Sequence, residues 1–530
     1  MKKYLSIAVA ALALFACTEK QDDFNNPDQT GEIEQSYIAV NLLSADVDTR
    51  ADGDSYDDGV EAERKVNTVH FFFFRQGAPF PVNVTGTAPG GDKNWLLSTL
   101  SGVNSEGTVG NNISDYSNSV LVLNNYKGQY PDKIVAVINY SPDNKAYTLS
   151  ELHDMSTSLK GNADGFVMSN SVYLSGTTVI DATPIAEGNI AATSEAAVTS
   201  PVEIYVERLS AKVKVTTKAE NKFDTGNTLG GESVYVKVNN WSLYNANPTS
   251  SMLKNIDPAW TVDGLGFNWN DSPYYRSYWA QADLGSITNS LTWTDGLAVG
   301  NTDYCGENTD QDKADRTKVV LKGQLVYEDG TTPVELVKWN GQELVGTENL
   351  LKAAASQLQY TIYSEVTGTE KLSILDTDLT CVHASDPGAP SDIESYQVFF
   401  KLSDVGTTKT WFKVVEGATT GISVDEVNAY LKENLSPANV YAGGKTFYHL
   451  DIRHLAPVLD KPGSYGVVRN HVYDIAINSI NGYGVPVFDP DKIITDIEYP
   501  EEEESVYVAA KINVLAWKVV SQEVDIIPQN

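Results

Sequence analysis

The last stretch of the chain, Ser505–Ile527, reads SVYVAAKINVLAWKVVSQEVDII, and its apolar even-numbered positions are Val506, Val508, Ala510, Ile512, Val514, Ala516, then, past Lys518 and either side of Gln522, Val520, Val524 and Ile526. A repeat of two is the signature of a strand with one face against a core. This one is far longer than the usual strand of about 5–6 residues, and only Pro528, Gln529 and Asn530 follow it. A long apolar strand at a chain end is an aggregation hazard unless it is paired. Two fates are open to it: tucking into its own sheet, or completing the sheet of a neighbouring molecule by strand addition.

Upstream, the composition agrees with a mostly β protein. Glycine occurs 39 times and tyrosine 28 times, and 42% of the residues are hydrophobic, enough for packed cores. The net charge of -32 over 530 residues repels phosphate backbones and anionic lipid surfaces, so nucleic acid is excluded as a partner.

At the other end, Lys2 and Lys3 precede an apolar run from Leu5 to Ala16, too short to span a bilayer stably. The run ends LFAC, which looks like a bacterial lipoprotein cleavage site with Cys17 as the lipidated residue. The lipid on the precursor is then the chain's one link to a membrane. Residues 18–34 read as a polar tether. In Ser36–Leu43, Ile38, Val40 and Leu42 share one face of a short strand. SADVDTRADGDSYDDG follows, an acidic loop with Arg50 as its single arginine, the kind of exposed tip that proteases nick.

The body begins at Val66–Phe74, where four consecutive phenylalanines predict a strand buried on both faces. Further strands are expected at Ser119–Asn124 and Lys133–Asn139, with a short helix near Ser150–Leu159. In PVEIYVERLSAKVKVTT the apolar residues move from even positions, up to Val206, to odd ones from Leu209, which implies a bulge or a strand passing between sheets. Polar sequence at Lys218–Glu232 suggests a domain boundary. Beyond it, strands are expected at Ser233–Tyr244, Thr317–Tyr327, Tyr396–Leu402, Phe447–Ile452 and Arg469–Ile480. Helices are expected at Glu348–Leu358 and from Ser423, where Ser423 and Glu426 have capping-box spacing.

No catalytic signature is present: there is no G-x-S-x-G, no H-E-x-x-H and no phosphate-binding glycine loop. Cys305 and Cys381 form no C-x-x-C pair, and whether they join in a disulfide is left open by sequence. His449 and His454 flank one expected strand and tend to opposite sides of it. Asp310, Asp312 and Asp315 lack the glycine and terminal glutamate of a calcium hand and read as a solvated loop. No cofactor, metal or enzymatic activity is expected. The aromatic residues of Trp260–Trp279 suit either sugar stacking or core packing, and core packing is the simpler use.

Four stretches, YGVVRNHVYDIAINSINGYGVP (Tyr465–Pro486), YCGENT (Tyr304–Thr309), RSYWA (Arg276–Ala280) and VERLSAKVKV (Val206–Val215), resemble the Bacteroidales fimbrillins. The nearest resemblance is to the major, stalk subunit of the short "minor" fimbriae, type V pili. It implies two transthyretin-like Greek-key β-sandwich domains with a few short helices and a long C-terminal strand. It also implies a division into a signal peptide (1–17), a removed propeptide (18–50), an N-terminal sandwich (51–218), a C-terminal sandwich (219–504) and a donor strand (505–530). An arginine-specific protease then cuts between Arg50 and Ala51, the strand bearing Ile38, Val40 and Leu42 is displaced, and the C-terminal strand of another copy takes its place. The implied partners are other copies, anchor and tip subunits, that protease, and a host or bacterial surface receptor in adhesion and biofilm formation. The implied location is a surface fimbrium, reached through an outer-membrane lipoprotein precursor. The competing reading is a monomeric surface lipoprotein that binds glycans through its Trp/Tyr-rich region.

Overall fold

The structure, a computed structural model, describes residues 34–44, 56–57, 59–80, 83–84, 119–125, 129–140, 146–161, 165–175, 178–256, 287, 289–310, 312–367, 370–454, 465–500 and 506–517. Cys17, Arg50, Ala51, the Trp260–Trp279 cluster with RSYWA, and Val520, Val524 and Ile526 lie outside these residues.

The protein is mostly β. In its first half the elements that matter here are strands β1 (Glu34–Ser44), β2 (Tyr56–Asp57), β3 (Val69–Arg75), β4 (Ser119–Asn125), β5 (Lys133–Ile138), β6 (Met168–Asn170) and β7 (Val202–Arg208), and helices α1 (Glu61–Arg64) and α2 (Leu149–Asp154), among shorter ones. Except for β2, these strands build one sheet in the order β3-β5-β6-β7-β1-β4, with Ala78–Pro79 and Asn83–Val84 at its ends. From Val69 to Phe74 every side chain of β3 is buried. Phe71 and Phe73 enter the same core as Ile38, Val40 and Leu42, while Phe72 and Phe74 pack on the opposite face against Leu149, Leu152 and Met252. A run without alternation was therefore the correct sign of two covered faces. Helix α2 is shorter than expected. Thr148 and Glu151 cap it from Leu149, and Ser156–Ser158 leaves it to pair with Thr249–Ser251.

The parity change at Leu209 is a passage between sheets. Val202, Ile204 and Val206 belong to the first core. Two residues after β7 ends, β8 (Ala211–Thr217) places Ala211, Val213 and Val215 in a second one. The chain thus changes core at Leu209–Ser210, ahead of the polar stretch Lys218–Glu232, whose last residue opens β10 after a turn. The second core is closed by two sheets. One runs β9-β10-β12-β13, from β9 (Lys222–Leu229), β10 (Glu232–Tyr244), β12 (Lys318–Val326) and β13 (Lys445–Asp451). The other runs β2-β15-β14-β8-β11, from β11 (Thr302–Cys305), β14 (His471–Asn481) and β15 (Tyr507–Trp517).

Between β12 and β13 the chain builds a third core. Helices α3 (Thr347–Leu358) and α4 (Val424–Asn434) pack Leu350, Ala354, Leu358, Val427 and Leu431 against Trp339, Phe400 and Trp411. The Ser423–Glu426 capping box is formed, with the Glu426 amide donating to Ser423 Oγ at 3.2 Å. Cys305 and Cys381 are free, buried thiols in the second and third cores respectively, so they form no bond with each other.

Candidate functional site

Strand β1 is central in its sheet. Along one edge it runs antiparallel to β4, from Glu34 opposite Asn125 to Val40 opposite Ser119. Along the other it runs parallel to β7, from Val40 opposite Val202 to Ser44 opposite Val206, and Tyr37 and Ile38 pair with Ala191 and Ile190. Ile38 and Val40 are fully buried and Leu42 is 1% exposed. Their neighbours in the core are Phe71, Ile134, Ala136, Ile138 and Ile204. On the reverse face Ala39 packs on Ala197. Burying three such side chains stabilises the strand by roughly 1.5–3 kcal/mol each, as an upper estimate. Taking β1 away leaves a slot between β4 and β7 with two rows of backbone groups unpaired.

The C-terminal strand β15 lies antiparallel to β14, from Tyr507 opposite Asn481 to Ala516 opposite His471, with a bulge between Ile477 and Ser479. Residues 507–517 are therefore paired within their own chain, the first of the two fates the repeat allowed. Val506 closes the second core, with Val508 packed against it. Gly482 permits that approach. Its φ is +76°, and a Cβ there would stand 2.4 Å from Val506 Cγ2. The other edge of β15 meets β2, with Tyr56 opposite Ala516 and Asp57 opposite Trp517 in a parallel pair.

Between the two cores sits a buried ionic junction that sequence reading missed. Arg469 Nη2 donates to Glu307 Oε2 at 2.6 Å and to the Ser251 carbonyl at 2.9 Å, with Glu207 Oε1 4.0 Å from its Nε. Lys254 pairs with Glu207 at 3.2 Å. All four charged groups are at most 3% exposed. Burial pushes the Glu207 carboxyl above the usual range, against the opposing pull of Lys254 and Arg469. Next to this cluster, Glu63 of α1 pairs with Lys212 at 3.1 Å and accepts from the Tyr304 hydroxyl at 2.5 Å, while its carbonyl accepts from Arg208 Nε at 2.9 Å. The Asn470 amide donates to the Ser210 carbonyl at 2.8 Å, tying β14 to the crossover. Glu207, Glu307 and Arg469 come from three of the four quoted stretches. A charged residue inside an apolar strand pattern was the available signal, because such a group must meet a partner when buried.

The remaining candidates scatter. His449 stacks on Tyr499 at 4.4 Å, whereas His454 bonds the Tyr473 hydroxyl at 2.8 Å. Asp310 Oδ1 accepts from the Asp312 amide at 2.8 Å and Asp312 Oδ1 from the Ala314 amide at 3.1 Å, so both carboxylates cap their own loop. An open cleft of about 850 Å³ is lined by Gln76, Thr148, His153, Asp181, Ser251 and Asn255 among others, with no phenylalanine, tyrosine or tryptophan in its lining. No helix among the described residues is long and apolar enough to cross a membrane.

Residues 439–523 match the family model described as "Major fimbrial subunit protein type IV, Fimbrillin, C-terminal". The match takes in β13, β14 and β15, and with them Arg469. This C-terminal segment is therefore similar to the C-terminal part of a major fimbrial subunit. The quoted motifs led one to expect that likeness to the fimbrillins. Similar solved structures include a fimbrilin from Porphyromonas gingivalis W83 (14% identity, 92% of this chain and 98% of that one, TM-score 0.35). The tip fimbrial protein Mfa3 of Porphyromonas gingivalis, truncated at its C-terminus, matches at 11% identity over 91% of this chain and 100% of that one, with a TM-score of 0.30. A fimbrial assembly protein from Parabacteroides distasonis matches at 15% identity over 56% of this chain and 86% of that one, with a TM-score of 0.26. None of the three assigns a role to a residue here. A search of curated proteins finds no match.

Proposed function

We propose that the chain is a stalk subunit of a type V pilus, exported as a lipoprotein on Cys17 and polymerised by strand exchange. Cleavage between Arg50 and Ala51 detaches β1, and the Ser505–Ile527 strand of another copy enters the slot between β4 and β7. The observation that supports this reading most is the central seat of β1. The strand lies just upstream of the arginine-bearing loop, and its loss leaves a long apolar slot that only another strand can fill. While joined to the body, β1 refills its slot at an effective concentration near the millimolar range, so an incoming strand loses until the loop is cut. The longer C-terminal strand then has more apolar positions to bury than Ile38, Val40 and Leu42 supply. Anchor, tip and receptor partners, adhesion and biofilm belong to the same proposal.

Electron microscopy of the chain before and after arginine-specific cleavage tests it. Filaments are expected only after the cut, and neither from Arg50→Ala nor from a chain ending at Glu504. Filaments from uncut Arg50→Ala protein refute the protease step. Cut wild-type protein that stays monomeric favours the glycan-binding lipoprotein instead.

A further inference from the structure

We propose that the strand given to a neighbouring copy seats in its slot in one register, with Leu515, Trp517 and Val519 in the places of Ile38, Val40 and Leu42. The inference rests on the strand-exchange reading and adds to it which donor residues bind. Because β1 lies between β4 and β7, its slot is covered on both faces. Ile38, Val40 and Leu42 fill the first core from one side. On the other side Ala39, fully buried, meets Ala197 of the short helix Ser194–Val198. A replacement therefore needs large apolar side chains at places 38, 40 and 42 and a small one at 39.

The stretch Ser505–Ile527 holds five small residues, Ser505, Ala509, Ala510, Ala516 and Ser521. Setting Ala516 at place 39 lays Leu515–Ser521, LAWKVVS, over Ile38–Ser44, IAVNLLS. Both run apolar, alanine, apolar, polar, apolar, apolar, serine. Trp517 is larger than Val40 and Val519 smaller than Leu42, so excess volume at one place is partly taken up two places on. The other small residues fail. Ser505 brings Glu504 to place 38, and Ser521 and Ala510 bring Gln522 and Lys511 to place 40, each a polar group in an apolar core. Ala509 leaves only Ala510 where Val40 was, and it pulls Val508 away from the second core. With Ala516 the donor gives up two pairs on β14, His471–Ala516 and Val472–Leu515, and keeps those from Tyr507 to Val514.

Charge agrees with this register. Asn41 stands opposite Glu203 of β7, an exposed residue between the buried Val202 and Ile204. Lys518 takes place 41, which sets an ammonium beside that carboxylate on the face away from the core.

Zero-length carbodiimide coupling, which joins an amine to a carboxylate it touches, tests the register in filaments grown from arginine-cleaved protein. Peptide mapping is expected to find Lys518 joined to Glu203 in filaments and not in the uncut precursor. A Lys511–Glu203 link in its place, which the Ala509 register would give, overturns the proposal, and so do filaments without either link. Ala516→Leu crowds place 39 and is expected to lower filament yield about tenfold, whereas Ala516→Gly keeps it within about twofold. Wild-type yield from folded Ala516→Leu overturns the register as well; if that variant does not fold, the cross-link decides. Cut wild-type protein that forms no filaments overturns strand exchange itself, and the register with it, whereas filaments with the wrong link leave strand exchange standing.

Discussion

Leu42→Ala probes the force that holds β1. Leu42 is 1% exposed in the first core, and Val40 beside it is fully buried. Truncating a buried leucine costs about 2–5 kcal/mol, or roughly 30-fold to several thousandfold in an equilibrium constant. In the uncut chain this loss appears as lower stability of the first sandwich, because the covalent tether still returns β1 to its slot. After cleavage the same loss lowers retention of the N-terminal fragment on the body. The assay is gel filtration of cut protein labelled near residue 20, run at several dilutions. Leu42→Ala is expected to release the fragment at concentrations at least tenfold higher than wild type does, a conservative part of that range. Tyr37→Ala, a half-buried position on the reverse face, is the comparison and is expected to shift release less. Equal retention of wild type and Leu42→Ala refutes the argument that apolar burial holds the strand.

Breaking the junction by Arg469→Met strands Glu207 and Glu307 without their shared cation and is expected to cost about 3–5 kcal/mol in urea unfolding. Gly482→Ala, at φ +76° and against Val506, is expected to destabilise the second sandwich by at least about 1 kcal/mol and to raise hydrogen exchange at Val506–Val508. Burial depresses the His449 imidazole to about 4. The unfolded chain therefore binds the extra proton between about pH 6.5 and pH 4. Stability from this group is complete above that window and falls as pH drops through it. His449→Gln is expected to flatten the corresponding part of a stability-against-pH curve.

Local pattern carried much of the fold. Alternation marked β1, β12 and β15, the phenylalanine run marked a strand covered on both faces, and the Ser423–Glu426 pair placed the start of α4. These signals are short-range, because side-chain direction along a strand and capping at a helix end depend on neighbours within a few positions. The parity change at Leu209 showed that something happens there without saying that the chain moves to another core. The third core was invisible as a unit, since α3, α4 and their strand partners are far apart in sequence and meet only through packing.

The sequence by itself determined that the protein is mostly β, that its first and last strands both alternate apolar and polar residues, and that one isolated arginine follows the first of them. Tertiary structure alone decided that β1 lies between β4 and β7, that β15 closes its own sheet against β14 with β2 on its free edge, and that Glu207, Glu307 and Arg469 share one buried site. The reason is physical. A strand's pattern says which face is apolar, but its neighbours are chosen by contacts between distant segments. A buried charge likewise finds its partner only once the chain has closed around it.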